Sequence, residues 1–71
     1  MERFLRYSKE HQRAVRMILM LDGKLRQVNA VVEQYDGQSA SLYILRPMRR
    51  VTLSLNEIFS VDYARGDEGQ D

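Results

Sequence analysis

Cysteine and tryptophan are absent from this 71-residue chain, and proline and histidine occur once each. Without cysteine, neither a disulfide framework nor a thiolate metal site can form. His11 alone cannot assemble a zinc site. The longest apolar run, MILML at 17–21, falls far short of the ~20 residues a membrane-spanning helix needs, so no membrane association is expected. The opening MERFLRYSKEH has no apolar segment, so no secretory signal is expected and the cytoplasm is the expected compartment. The four glycines are scattered, which leaves no glycine-rich phosphate loop. The serines have neither a neighbouring base nor a nucleophile elbow. Glu33, Glu57 and Asp62 show no acid/base pairing and no metal-ligand spacing. The expectation is a protein that is not an enzyme and needs no cofactor.

What is present fits one small globular domain: 44% of residues are hydrophobic and 30% charged. A chain this short buries a modest share of its surface, so self-association is a natural support for its core. The net charge of +1 conceals segregation. Segments 1–26 and 46–50 are basic, whereas 27–45 and 51–71 are acidic. Such a pattern permits a basic patch without demanding a polyanionic partner.

Hydrophobic spacing sets out the elements. Residues 2–12 lack glycine and proline and place Phe4, Leu5, Ser8 and His11 on one helical stripe, with Arg3, Arg6, Lys9 and Glu10 outward. From Ala14 the period changes to two, with Val15, Met17, Leu19 and Leu21 inward. Asp22-Gly23 is a strong hairpin signal, because its turn needs positive φ at both central residues. The next strand, 25–35, is long enough to predict a bend or bulge in its middle. A second Asp-Gly at 36–37 precedes a strand at 39–46, and Pro47 ends it because it has no N–H for a central ladder. Strands at 50–55 and 58–64 follow, separated by one helical turn at SLNEI. Five short strands with tight connections predict an all-β fold, a five-stranded antiparallel SH3/Sm-like barrel over 1–64 with an N-terminal helix at 2–12. The tail 65–71 has almost no apolar content and is expected to be disordered.

SLYILRP and RRVTLSLNEIFSVDY resemble the central strand and closing segment of WYL-type domains, within the Sm-like (SH3-like) small barrels. Leu42-Tyr43-Ile44 stands where that family has Trp-Tyr-Leu. The likeness covers about residues 3–63. It implies a regulatory domain that binds nucleic acid or a nucleotide-like ligand. The Sm-like likeness also implies joining of subunits edge to edge through their last strands. The chain has no Asp-x-x-x-Asn stretch after the second strand and no helix-turn-helix beside the barrel.

RPMRR at 46–50 is the leading candidate site. Arg46, Arg49 and Arg50 offer planar forks for phosphate, and Tyr43 offers a stacking surface. The competing reading is a solvated hairpin end whose charges protect an edge strand. Arg3, Arg6, Lys9, Arg13 and Arg16 either extend this patch or form a solvated helix face. Apolar residues expected on the outer surface, Ile18, Met20, Val31, Tyr35, Leu45 and Phe59, suggest a second function class, a protein–protein or homo-oligomer surface.

Overall fold

The computed structural model describes residues 1–69. One helix is followed by a single five-stranded antiparallel sheet: α1 (Glu2–His11), β1 (Val15–Leu21), β2 (Lys24–Tyr35), β3 (Ser39–Leu45), β4 (Met48–Ser54), a one-turn 3-10 helix (Leu55–Glu57) and β5 (Ile58–Tyr63). The strand order is β4-β3-β2-β1-β5. The last strand therefore returns beside the first, and β4 and β5 are the two edges. The sheet is not closed into a barrel.

Local chemistry accounts for the connections. Leu21 pairs with Lys24, so Asp22 and Gly23 form a two-residue turn, with φ of 55° and 78°. Glycine and aspartate tolerate that conformation, and it matches the twist of the flanking strands. At the next turn the Asp36 carboxylate accepts from the N–H groups of Gln38 and Ser39, at 2.9 and 2.8 Å. Those bonds hold its carboxyl below the ordinary value. Ser54 and Glu57 bracket the 3-10 turn: Ser54 Oγ accepts from the Asn56 N–H, and the Ser54 N–H donates to Glu57.

Two bulges shape the sheet. The β2–β3 register shifts between Val32 and Gln34, which is the irregularity that the length of β2 predicts. The β1–β5 register shifts opposite Phe59, since Ile18 faces Ser60 while Leu19 faces Ile58. This extra residue explains why Phe59 and Ser60 are both exposed between buried Ile58 and Val61.

One sheet face and α1 enclose the core. Leu5, Val15, Met17, Leu19, Val32, Leu42 and Ile44 are wholly buried. Burying a side chain such as Leu5 contributes about 2 kcal/mol, which is what docks a helix too short to persist alone. Tyr7 is buried as well, against the expected stripe of Phe4, Leu5, Ser8 and His11, whereas His11 is exposed. Tyr7 packs edge-on against Tyr63, and Phe4 packs on the same ring.

Within 65–69, where disorder is the sequence expectation, Asp67 and Gly69 have defined contacts. The Tyr7 hydroxyl donates to Asp67 at 2.8 Å, and Arg13 Nε donates to it at 3.2 Å. The Asp67 side chain is only 8% exposed. The remainder of the expected tail, 70–71, lies outside the described residues.

Candidate functional site

Antiparallel connectivity brings the β1–β2 and β3–β4 turns to one end of the sheet, opposite α1. In the second of these turns Leu45 pairs with Met48, so only Arg46 and Pro47 are turn residues, joined by a cis bond. The strand thus begins two residues before Arg50, earlier than the sequence predicts. Arg49 and Arg50 are ladder residues, and side chains of adjacent ladder residues point to opposite faces.

That alternation divides the expected grip. Tyr43 pairs with Arg50 on the outer face. The Arg50 guanidinium lies over the Tyr43 ring, 4.7 Å from its centroid, and Arg50 Nε donates to Glu33 at 3.1 Å. Tyr43 also points its hydroxyl at Met48 Sδ, 3.0 Å away. The ring face expected to receive a base is therefore covered on one side by arginine. Arg49, opposite Ile44, turns to the inner side.

On that inner side Arg49 meets Asp22 from the other hairpin. Nη1 donates at 2.8 Å and Nη2 at 3.4 Å, one to each carboxylate oxygen. This two-pronged pair ties the hairpin tips together. The Arg49 guanidinium holds the Asp22 carboxyl below its ordinary value, and the nearby charge of Arg26 adds to the effect. Asp22 in turn raises the pKa of Arg49.

Between the tips lies a cavity of about 180 Å³. Leu21, Val28, Ile44 and Pro47 supply its apolar lining, and Asp22, Arg26, Gln27, Arg46 and Arg49 its polar lining. Among the described residues, neither Arg26 nor Arg46 has a carboxylate within salt-bridge distance. Arg46 also borders a groove with Gln27, Asn29 and Leu45. Of the four residues that the sequence singles out, the structure brings Arg46 and Arg49 to this cavity and leaves Tyr43 and Arg50 on the outer face. Arg26, Asp22 and Val28 belong to it and escaped the sequence reading. The signal was present, because in an up-and-down meander the first and third turns share an end.

The N-terminal arginines do not extend this patch. Arg6 pairs with Glu2 at 3.0 Å, and Arg13 with Asp67. Arg16 pairs with Asp62 at 3.7 Å, and Arg3 approaches the Tyr63 hydroxyl at 3.5 Å. They surround the helix end of the sheet, and the chain from Arg16 to Asp22 spans roughly 20 Å. A polar groove near the helix, lined by Arg6, Lys9, Glu10, Tyr35, Asp36 and Gly37, mixes charges of both signs. No group of three or more histidine, cysteine or carboxylate side chains suited to a metal ion occurs among the described residues. No helix among them is long and apolar enough to cross a membrane. No protein-family model, no curated protein and no solved structure matches this chain.

Proposed function

We propose that this protein is a non-catalytic binding module of regulatory type, acting in the cytoplasm, that meets a nucleic acid or nucleotide-like anion at its basic hairpin end. The observation that carries this reading is the pair of guanidiniums, Arg26 and Arg46, that flank a partly apolar cavity and, among the described residues, have no carboxylate within salt-bridge distance. Arginine suits phosphate because its fork donates two parallel hydrogen bonds. The cavity, at about 180 Å³, is smaller than the ~300 Å³ and upward typical of drug-sized ligand pockets. It suits one ring or one phosphate, with the rest of the ligand along the surface. The finer likeness, to the WYL-type and Sm-like (SH3-like) domains, draws on the helix-first order, on β5 lying beside β1 and on the one-turn helix before β5, in a sheet that here stays open between β4 and β5.

The test is fluorescence anisotropy with short single-stranded DNA and RNA at about 50 and 200 mM salt, where a binder of several phosphates loses large factors of affinity. Arg46→Ala weakens binding and flattens the salt slope by about one unit for the lost phosphate contact. Absence of binding by the unaltered protein at the lower salt overturns the proposal.

A second reading, a self-association or adaptor module, draws on the two open sheet edges. β4 carries Arg49 and Arg50, and β5 carries Asp62, so the edges differ in charge. Phe59 is 55% exposed and Ile18 38% on the β5 side, and such apolar exposure suits a partner surface.

A further inference from the structure

The charge at the hairpin end is arranged in an uneven way. Among the described residues, two arginines at the cavity, Arg26 and Arg46, have no carboxylate within salt-bridge distance, while the third, Arg49, is held by both oxygens of Asp22. The Asp22 side chain is itself 64% exposed, so the pair is reachable by a competing anion from solvent. A carboxylate and a phosphate present the same two-oxygen edge to a guanidinium. Asp22 therefore stands where a ligand oxyanion would bind, at the mouth of a cavity that already has two cations to receive it.

We propose that Asp22 is a built-in competitor for this anion site: an incoming phosphate displaces its carboxylate from Arg49, which then joins Arg26 and Arg46 around the ligand. The inference rests on the reading of the hairpin end as a binding site and names how that site is restrained. In the free protein Arg49 donates to Asp22. In the complex those two donors turn to the phosphate, and the Asp22 carboxylate is left to water. Because Arg49 keeps the Asp22 carboxyl ionised well below neutral pH, the competitor is charged under ordinary conditions. The consequence is a site that discriminates by anion strength. A weak monoanion does not displace the carboxylate, whereas a phosphate backed by further negative charge does.

The test compares Asp22→Asn with the unaltered protein, using a short fluorescein-labelled oligodeoxythymidylate as probe. Asparagine keeps the turn, since Asn-Gly is the favoured pair at two-residue hairpins of this geometry and asparagine tolerates positive φ. A thermal melt of the variant checks that the fold is retained. Removing an exposed ion pair of this kind frees Arg49 at a cost of a fewfold in equilibrium constant, so Asp22→Asn should tighten binding about fivefold and steepen the salt slope by about one unit. Glu33→Gln serves as control, because Glu33 removes the same charge from Arg50 on the outer face; its effect should stay below about twofold, within the small range of an exposed pair. Adding Arg49→Ala to Asp22→Asn should abolish the gain. Equal tightening by Asp22→Asn and Glu33→Gln would be a general charge effect and overturns the competitor role, as does no tightening at all; the binding site itself survives either result. Failure of both the unaltered protein and Asp22→Asn to bind overturns the site together with its competitor.

Discussion

Replacing Ser8 with alanine removes one oxygen and strands two backbone groups. Ser8 is wholly buried, yet its hydroxyl donates to the Arg13 carbonyl at 2.7 Å and accepts from the Val32 N–H at 2.8 Å. The second bond has a topological cause. The β1–β2 ladder ends where Val15 faces Ala30, so β2 runs on past β1 and on that side Val32 has no strand to meet, although β3 pairs with it on the other. The side chain of a helix residue takes that place. A buried donor left unpaired costs about 1–3 kcal/mol, and Ser8 has no exposed surface. A loss of about 2 kcal/mol is a large part of the roughly 4–10 kcal/mol expected for a chain of this size. It corresponds to a fall of roughly 8–16 °C in Tm. Far-UV circular dichroism measures the melt, and urea titration should show a lower midpoint at unchanged slope. Ser60→Ala, at an exposed position, should leave stability within about 0.5 kcal/mol. A Ser8→Ala melt within about 2 °C of the parent would refute the reasoning, because at roughly 4–8 °C per kcal/mol it would mean that Val32 finds another partner at almost no cost.

Asp67 gives a dependence on acid. The Gly69 N–H first, and then the Tyr7 hydroxyl and Arg13, lower its carboxyl below the ordinary value. A depressed folded-state pKa contributes stability that is fully present above the unfolded value, near 3.9, and is lost as pH falls through the folded value. Urea midpoints should therefore drop between about pH 5 and pH 2, and Asp67→Asn should shrink that drop; an identical acid limb in the variant rejects the role. For the self-association reading, Phe59→Asp should reduce the solution mass to that of a monomer while the circular dichroism spectrum is kept. Light scattering decides the matter, and an unchanged oligomer mass counts against the β5 side as the interface.

The elements were largely legible because each rests on local chemistry. The two Asp-Gly turns, the change from helical to twofold period after Ala14 and the length of β2 all act within a few residues. What escaped was of two kinds. Asp67 lies 54 residues from Arg13, and no local rule joins them. The division of the arginine cluster between two faces, by contrast, follows from a local rule: once Arg46-Pro47 is recognised as a two-residue turn, Arg49 and Arg50 are adjacent strand residues and point to opposite faces. Proximity in sequence groups Tyr43 and Arg50 with Arg46 and Arg49, whereas the ladder sets Tyr43 and Arg50 together on the outer face and turns Arg49 inward. Tyr7 lies at the margin of the helical stripe drawn through Phe4, Leu5, Ser8 and His11, which does not include it. The ring of Tyr63 widens the buried stripe to include it.

The two ends of the sheet are held by different physics, and the difference bears on where a ligand would bind. At the helix end, backbone groups that the ladder leaves over are taken by Ser8 inside the core, and Asp67 fastens the chain past β5 onto α1 and Arg13. Opening that end exposes buried polar groups, so it is costly. At the hairpin end, each turn is closed by a ladder pair, Leu21 with Lys24 and Leu45 with Met48, and among the described residues the ion pair between the tips is an exposed one, Arg49 with Asp22. Such a pair contributes little to stability, typically under about 1 kcal/mol. Breaking it leaves no orphan in the core and releases a cation next to two others. A small domain with little stability to spare can rearrange only where rearrangement is cheap. The hairpin end meets that condition and the helix end does not, which is why the proposed anion exchange is placed on the Asp22–Arg49 pair rather than on the more numerous arginines around the helix.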